Sequence, residues 1–173
     1  VGGTSINGTG YLVLNSSGAI GSAGTINFGG GVLKYTANNN IDYSSRFNNG
    51  GNQAVKIDVA NGVTVVFDSV LQGSGTSLTK YGLGSLIVTK ENTYNGGTYV
   101  GGTFSSYNGA SSDGWGTGTV YQNGGVLQVS GYDNVGNVAV AGGSPNGLGS
   151  GAVTITKTAW AGTSAQVAYW LDT

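Results

Sequence analysis

Cysteine, histidine and methionine are all absent from this 173-residue chain, and proline occurs once. Without cysteine the chain can form neither a disulfide framework nor a thiolate metal site. Without histidine it lacks imidazole metal ligands and the general base of a nucleophilic triad. The lack of cysteine does not identify a compartment, but it favours export because no disulfide can form before secretion.

Charged residues are also scarce, at 8% of the chain with a net charge of −1, whereas average soluble proteins carry about 25%. The 6 basic residues are spread singly between Lys34 and Lys157, so they cannot form the cationic surface that nucleic acid requires. No apolar run reaches the ~18 residues of a membrane-spanning helix. We therefore expect no nucleic-acid partner and no membrane insertion by this chain.

Carboxylates are the remaining candidates for acid–base chemistry, and there are 7 of them: Asp42, Asp58, Asp68, Glu91, Asp113, Asp133 and Asp172. A glycosidase needs two carboxyl groups held a few ångströms apart across a cleft, and none of these residues lies in a recognisable motif. The calcium turn Gly-Gly-x-Gly-x-Asp is absent as well. The sequence therefore predicts no enzyme, no cofactor, and no catalytic, cofactor-binding or metal-binding residue. A polysaccharide-degrading enzyme is the least favoured alternative.

Short apolar runs bounded by Gly and Asn dominate what is present, with 35 glycines in the chain. Helical periodicity is missing, and β-branched and aromatic runs of this length are typical of strands. In Val55-Lys56-Ile57-Asp58-Val59 apolar and charged residues alternate, which predicts one buried face and one face in solvent. The predicted strands span 11–14, 25–28, 32–35, 54–59, 63–67, 78–80, 85–89, 98–100, 119–122, 126–129, 138–141, 153–156 and 166–171.

The chain repeats itself at an offset of 94 residues. Gly2-Gly3-Thr4 returns as Gly96-Gly97-Thr98 (96 − 2 = 94), and Gly30-Gly31-Val32-Leu33 returns as Gly124-Gly125-Val126-Leu127 (124 − 30 = 94). Residues 2–35 are thus echoed at 96–129. Self-similarity on this scale indicates supersecondary units that stack on their neighbours. We therefore predict a single β-solenoid domain over residues 1–173, with a β-sandwich or barrel as the alternative.

Three segments break the repeat. Residues 38–53 are rich in Asn and contain the only arginine, which predicts a loop or an irregular coil, and residues 101–118 are similar in composition. Loops that project from a solenoid often carry its binding function, so both segments are candidate ligand-binding loops. The simpler interpretation is that both are solvated turns. The tail, 159–173, lacks the repeat and is a candidate cap.

Some aromatic residues could either stack on sugar rings or pack in the core: Trp115, Tyr121, Trp160, Tyr169 and Trp170.

One stretch of the chain resembles a known repeat. Leu78-Thr79-Lys80-Tyr81-Gly82-Leu83-Gly84-Ser85-Leu86-Ile87-Val88, followed by Asn92-Thr93-Tyr94-Asn95-Gly96-Gly97-Thr98, is similar to the passenger-associated transport repeat, also called the autotransporter-associated β-strand repeat. The resemblance covers most of residues 2–129. It implies a right-handed parallel β-helix in a secreted or surface-displayed bacterial protein, in which the repeat is structural and brings no catalytic residue.

The sequence as a whole predicts an all-β fold, a right-handed parallel β-helix of stacked coils with Gly/Asn-rich turns. The predicted function is that of a non-enzymatic extracellular structural protein of the bacterial cell surface or biofilm matrix, either a surface stalk or a head-to-tail filament subunit. Its expected partners are further copies stacked end to end, or the continuation of a longer chain. The alternative function is an adhesin that binds cell-surface glycans through residues 38–53 and 101–118.

Overall fold

The computed structural model describes the backbone of residues 2–90, 92–101, 103–108, 120–122, 125–131, 138–141, 153–157 and 170–172, and the side chains of residues 2–90 and 92–101. Within these residues it has fifteen strands, one 3-10 turn and no α-helix. The 3-10 turn is Ser44–Arg46. The strands are β1 Thr4–Asn7, β2 Tyr11–Leu14, β3 Ile26–Gly29, β4 Val32–Tyr35, β5 Ala54–Val59, β6 Thr64–Phe67, β7 Ser77–Tyr81, β8 Ser85–Val88, β9 Thr98–Val100, β10 Thr103–Asn108, β11 Val120–Gln122, β12 Gly125–Gly131, β13 Val138–Ala141, β14 Val153–Lys157 and β15 Trp170–Asp172.

The strands form three sheets in which every strand pairing is parallel. The long sheet has eight strands in the order β15-β13-β11-β9-β7-β5-β4-β2, the middle sheet has five in the order β14-β12-β10-β8-β6, and the short sheet pairs β1 with β3. Adjacent parallel strands in one sheet require a long crossover, and here each crossover is one coil. The predicted all-β parallel solenoid is therefore confirmed.

The length of a coil can be measured along the long sheet. Leu12 pairs with Leu33, Leu33 with Ile57, Ile57 with Lys80 and Lys80 with Val100. The steps are 21, 24, 23 and 20 residues (33 − 12, 57 − 33, 80 − 57 and 100 − 80). The near-constant step keeps each column of inward residues aligned through the stack.

Residues 38–53 complete the coil between β4 and β5 rather than forming a projecting loop, and we call this coil the irregular coil. Phe47 bridges to Ile26 in parallel, and the Asn48 N–H donates to the Ile26 carbonyl at 2.9 Å, so this segment continues the side of the coil that holds the short sheet. On another side the Asn40 amide donates to the Thr64 carbonyl of β6 at 3.3 Å. Of the two predicted forms, loop or irregular coil, the structure shows the irregular coil.

Aromatic rings from successive coils meet inside the stack. Phe47 packs edge-to-face against Phe28, with ring centroids 4.9 Å apart, and against Phe67 at 5.3 Å. Tyr35 lies 6.0 Å from Phe67. All four residues are buried, and such pairs contribute about 0.5–1.5 kcal/mol each beyond the burial of their area. The aromatic column therefore ties the irregular coil to its neighbours.

The predicted alternation of inward and outward side chains in β5 is present, but the outer face of the strand is less exposed to solvent than predicted. Val55, Ile57 and Val59 are buried in the core, while Asp58 on the opposite face is only 7% exposed. The Lys34 ammonium on the preceding strand of the sheet pairs with the Asp58 carboxylate at 3.1 Å. The prediction of a fully solvated outer face was wrong at this residue because side chains on neighbouring coils cover it.

The 94-residue echo does not return a strand to the same side of the solenoid. The echo relates β1, β3 and β4 to β9, β11 and β12. The first three belong to the short and long sheets, whereas their counterparts belong to the long and middle sheets. A coil takes 20–24 residues along the described part of the long sheet. An offset of 94 residues therefore carries the chain through several complete coils and then on to the next of the three sheets.

Close stacking requires glycine at one corner, Gly82-Leu83-Gly84. Gly82 has a φ of +75°, which side chains disfavour. A Cβ at Gly84 would come closer than 3.0 Å to the carbonyl oxygens of Ala60 and Val63 on the preceding coil. Leu83 between them points outward and is 76% exposed. The Gly-x-Gly pair therefore sets how closely the two coils approach.

We predict that Gly84→Ala lowers the free energy of unfolding by about 1–3 kcal/mol, the usual cost of overpacking. Gly18→Ala is the matched control, because a Cβ there meets nothing within 4 Å, and it should change stability by less than about 1 kcal/mol. Urea denaturation followed by far-UV circular dichroism measures both. Equal effects from the two variants would contradict the account of the corner.

Candidate functional site: the coil corners and the open edge

The lysine of the repeat-like motif is a buried corner cap. Lys80 lies inward on β7 and is fully buried. Its ammonium donates to the carbonyls of Tyr81 and, at 3.0 Å, of Gly82. Burial lowers the pKa of Lys80 to about 8, although the nearby Asp58 carboxylate acts in the opposite direction. The lysine therefore holds the turn that leads into Gly82-Leu83-Gly84 from inside the coil.

The asparagines of the second half of the motif bind the coil beneath them. The Asn92 side-chain oxygen accepts from the Leu71 N–H at 2.7 Å, and the Asn95 side-chain oxygen accepts from the Gly75 N–H at 2.7 Å. Both backbone donors lie at a corner where no strand partner is available. Asn side chains thus replace the sheet ladder at this corner: the Leu71 donor is buried and needs a partner, whereas the Gly75 bond is exposed to solvent.

Tyr94 and Thr98 complete this corner. The Tyr94 hydroxyl and the Thr98 hydroxyl are 2.6 Å apart, and both residues are fully buried. Burial raises the pKa of Tyr94 well above its ordinary value. Of the polar groups of the motif, the Asn92 and Asn95 side chains thus join neighbouring coils, whereas the Lys80, Tyr94 and Thr98 side chains bond within their own coil.

Arg46, in the irregular coil, likewise caps the coil beneath it. Its guanidinium donates to four backbone carbonyls at 2.7–3.1 Å: Ile20, Gly21, Ala23 and Gly24. The Tyr43 ring lies 5.5 Å from the guanidinium carbon. A shallow, open depression of about 440 Å³ adjoins Arg46 and is lined by short polar residues and Phe47. Because most of the guanidinium donors already bind carbonyls, this depression is a poor anion site.

Three of the carboxylates lie among the residues with described side chains, and each is engaged in a local contact. Asp42 accepts from the Ser44 and Asp68 N–H groups at 2.8 and 2.9 Å. Asp68 binds the Thr89 hydroxyl and, at 3.0 Å, the Lys90 ammonium, and these hydrogen bonds lower the pKa of Asp68. Asp58 pairs with Lys34.

The other predicted residues are placed only in part. Glu91, Asp113 and Asp133 lie outside the described residues, and Asp172 lies in β15. The described residues contain no group of three metal-ligating side chains. The aromatic residues Trp115, Trp160 and Tyr169 lie outside the described residues, whereas Tyr121 is in β11 and Trp170 in β15. Within 101–118, only 101 and the strand β10 are described.

The sequence predicts end-to-end stacking of copies but does not identify the strand at the end of the sheet, which in the described residues is β2. Within the described part of the chain, β2 pairs only with β4 and β1 only with β3. We call the free side of β2 the open edge. Tyr11 is 57% and Val13 38% exposed on this strand, and neither β1 nor β2 carries a charge. The signal was present in the uncharged run Tyr11-Leu12-Val13-Leu14, which was assigned only as a strand.

Backbone geometry shows which groups the open edge presents. The Val32 N–H donates to the Gly10 carbonyl at 2.9 Å. In a parallel strand alternate residues bond to the same neighbour, so Leu12 and Leu14 face β4. Tyr11 and Val13 therefore direct their N–H and C=O groups away from β4, toward the position of an additional strand.

Comparisons with known proteins do not place this chain in a family. A scan against family models and searches of curated proteins and of solved structures found no match. The likeness to the passenger-associated transport repeat thus rests on the motif residues themselves, of which Lys80, Asn92 and Tyr94 now have structural roles. No helix within the described residues is long and apolar enough to cross a membrane.

The buried ammonium predicts a stability that increases with pH. The pKa of Lys80 is about 8 in the folded chain, below the ordinary value of about 10.4, so above pH 8 the unfolded chain binds more protons and stability rises. We expect a gain of about 1–2 kcal/mol between pH 7.5 and 9.5. Above about pH 10 the buried tyrosines act in the opposite direction, because the unfolded chain loses their protons first.

Lys80→Met should abolish this gain, and Lys90→Met, which removes a surface ammonium 3.0 Å from Asp68, should leave it in place. The measurement is the free energy of unfolding in urea at half-unit pH intervals. A parent protein with no gain between pH 7.5 and 9.5, or a Lys80→Met variant with the same gain, would contradict the assignment.

Proposed function

We propose that this protein is a non-enzymatic structural element, a solenoid rod that serves as a surface stalk or as a head-to-tail filament subunit. The observation that carries the proposal is the coil-on-coil design: eight parallel strands follow one another along the long sheet. Each coil contacts mainly its neighbours, so length can be extended without a new core. A rod of this kind separates or connects what is attached to its ends.

The use of polar residues supports a structural role. Lys80, Asn92 and Arg46 all bind backbone groups at coil corners, and Asp42 and Asp68 do so or pair across coils. Catalytic sites generally present titratable groups to a cleft. Here the described ones hold the stack together instead.

The location we propose is extracellular, at a bacterial cell surface or in a biofilm matrix. Support comes from the resemblance of residues 78–98 to a repeat of secreted bacterial proteins. The absence of cysteine agrees with export. The adhesin alternative receives less support, because Tyr43 and Phe47, the aromatic residues of segment 38–53, are buried in the core and cannot stack on a glycan.

Electron microscopy of the purified protein over a range of concentrations tests the filament form of this function. We expect filaments one coil wide whose mean length increases with concentration. Short particles of a single size at all concentrations would contradict the filament and leave only the stalk. Small-angle X-ray scattering on the dilute protein tests the stalk, since a rod-like cross-section is expected and a compact sphere would contradict it.

A further inference from the structure

Among the strands that the structure describes, β2 and β15 are the outermost strands of the long sheet. In the described part of the chain, β2 closes one end of the sheet and β15 the other, and all eight strands run parallel. A strand added beside β2 in the same direction therefore repeats the geometry of every internal pair. Contacts between the head of one copy and the tail of the next are heterologous and open-ended, so they produce a filament.

Two of the devices with which proteins protect sheet edges are absent from the open edge. Natural edges are blunted by charged residues, proline, bulges or very short strands, and β2, at 4 residues, has only the short length. Strand β2, Tyr11–Leu14, has no charge and no proline, and Tyr11 and Val13 are its exposed residues. The backbone groups of these two residues face away from β4. An edge without charge or proline, with an aromatic and a β-branched residue exposed, favours strand addition.

Register within the sheet identifies which residues would meet. One column of paired residues runs without interruption along all eight strands: Leu12, Leu33, Ile57, Lys80, Val100, Gln122, Val140 and Leu171. Leucine thus stands at both ends of the column. Stacking one copy on another in this register places Leu171 beside Leu12. It also places Trp170 beside Tyr11 and Asp172 beside Val13. In two of the three pairs, Leu171 with Leu12 and Trp170 with Tyr11, neither residue carries a charge.

We propose that β2 of one copy accepts β15 of a second copy as its next parallel strand, in the register that pairs Leu171 with Leu12. This inference rests on the filament form of the proposed function and specifies its junction. Each copy contributes eight strands to the long sheet. At about 4.8 Å per strand, the filament should repeat every ~38 Å along its axis.

The junction can be tested by thiol crosslinking, because the native chain contains no cysteine. A Tyr11→Cys chain is mixed with a Trp170→Cys chain, assembled, and treated with a short bis-maleimide. The expected product is a crosslinked dimer in the mixture and none from either chain alone, since like positions in a filament are a full repeat apart. Leu83→Cys, at a corner that is 76% exposed, replaces Trp170→Cys as the control for random collisions and should give at least tenfold less dimer.

A backbone variant tests the same edge independently. Val13→Pro removes an N–H that faces the open edge and keeps the bonds to β4, a position where proline is tolerated in edge strands. It should reduce filament length at least tenfold while retaining the β circular dichroism spectrum. Val13→Thr is the matched control, because it keeps the N–H and a β-branched side chain, and it should assemble like the parent. If Val13→Pro does not fold, the crosslinking result decides alone.

The outcomes separate this inference from the proposed function. Filaments that form without the mixed crosslink would overturn the β2–β15 junction and leave the structural function standing. A Tyr11→Cys chain that crosslinks to itself would overturn it in favour of a head-to-head contact. Val13→Pro chains that fold and assemble like the parent would also overturn it. Absence of both filaments and crosslinks at all concentrations would overturn the junction and the filament function together.

Discussion

The short distance between successive coils determines where this structure needs glycine and how long each coil is. Parallel strands bond at a spacing of about 4.8 Å, so every corner must let the backbone of one coil pass that close to the next. At Gly84 even a methyl group would come closer than 3.0 Å to two carbonyls of the coil beneath. Glycine at the tightest corners meets this requirement, and the near-constant coil length keeps Leu12, Leu33 and Ile57 in one column.

The corners create a second requirement, since backbone groups leave the sheet ladder there and some of them are buried. The chain satisfies them with side chains that reach from one coil to another. Asn39, itself buried, donates to the Ser16 carbonyl at 2.6 Å, and Arg46 and Asn92 have the same kind of role. The Lys80 ammonium serves its own turn, at the expense of a lowered pKa. These four polar side chains therefore bind backbone groups of the coils.

Much of the fold could be predicted because strands with alternating burial leave a strong pattern. Strand β5 was predicted with its bounds, 54–59. The stacked architecture followed from the repeat, and the parallel strands from the resemblance of residues 78–98 to a known repeat. Strand β1, Thr4–Asn7, was missed because its polar residues Thr, Ser and Asn resemble a turn. The burial of Asp58 could not be foreseen, since its cover comes from Lys34 on another coil. The shift of the 94-residue echo by one side was equally invisible, because sequence periodicity does not report which sheet a strand joins.

Each coil of this solenoid is a unit that can be added, and lengthening the chain tests this property most directly. Leu78 pairs with Thr98 across one coil, so residues 78–97 are one complete unit that can be repeated in tandem. With three extra copies, small-angle X-ray scattering of the monomer should show a rod about 14 Å longer (three rises of ~4.8 Å) at unchanged cross-section. An increase in cross-section, or a chain that no longer folds, would contradict the claim.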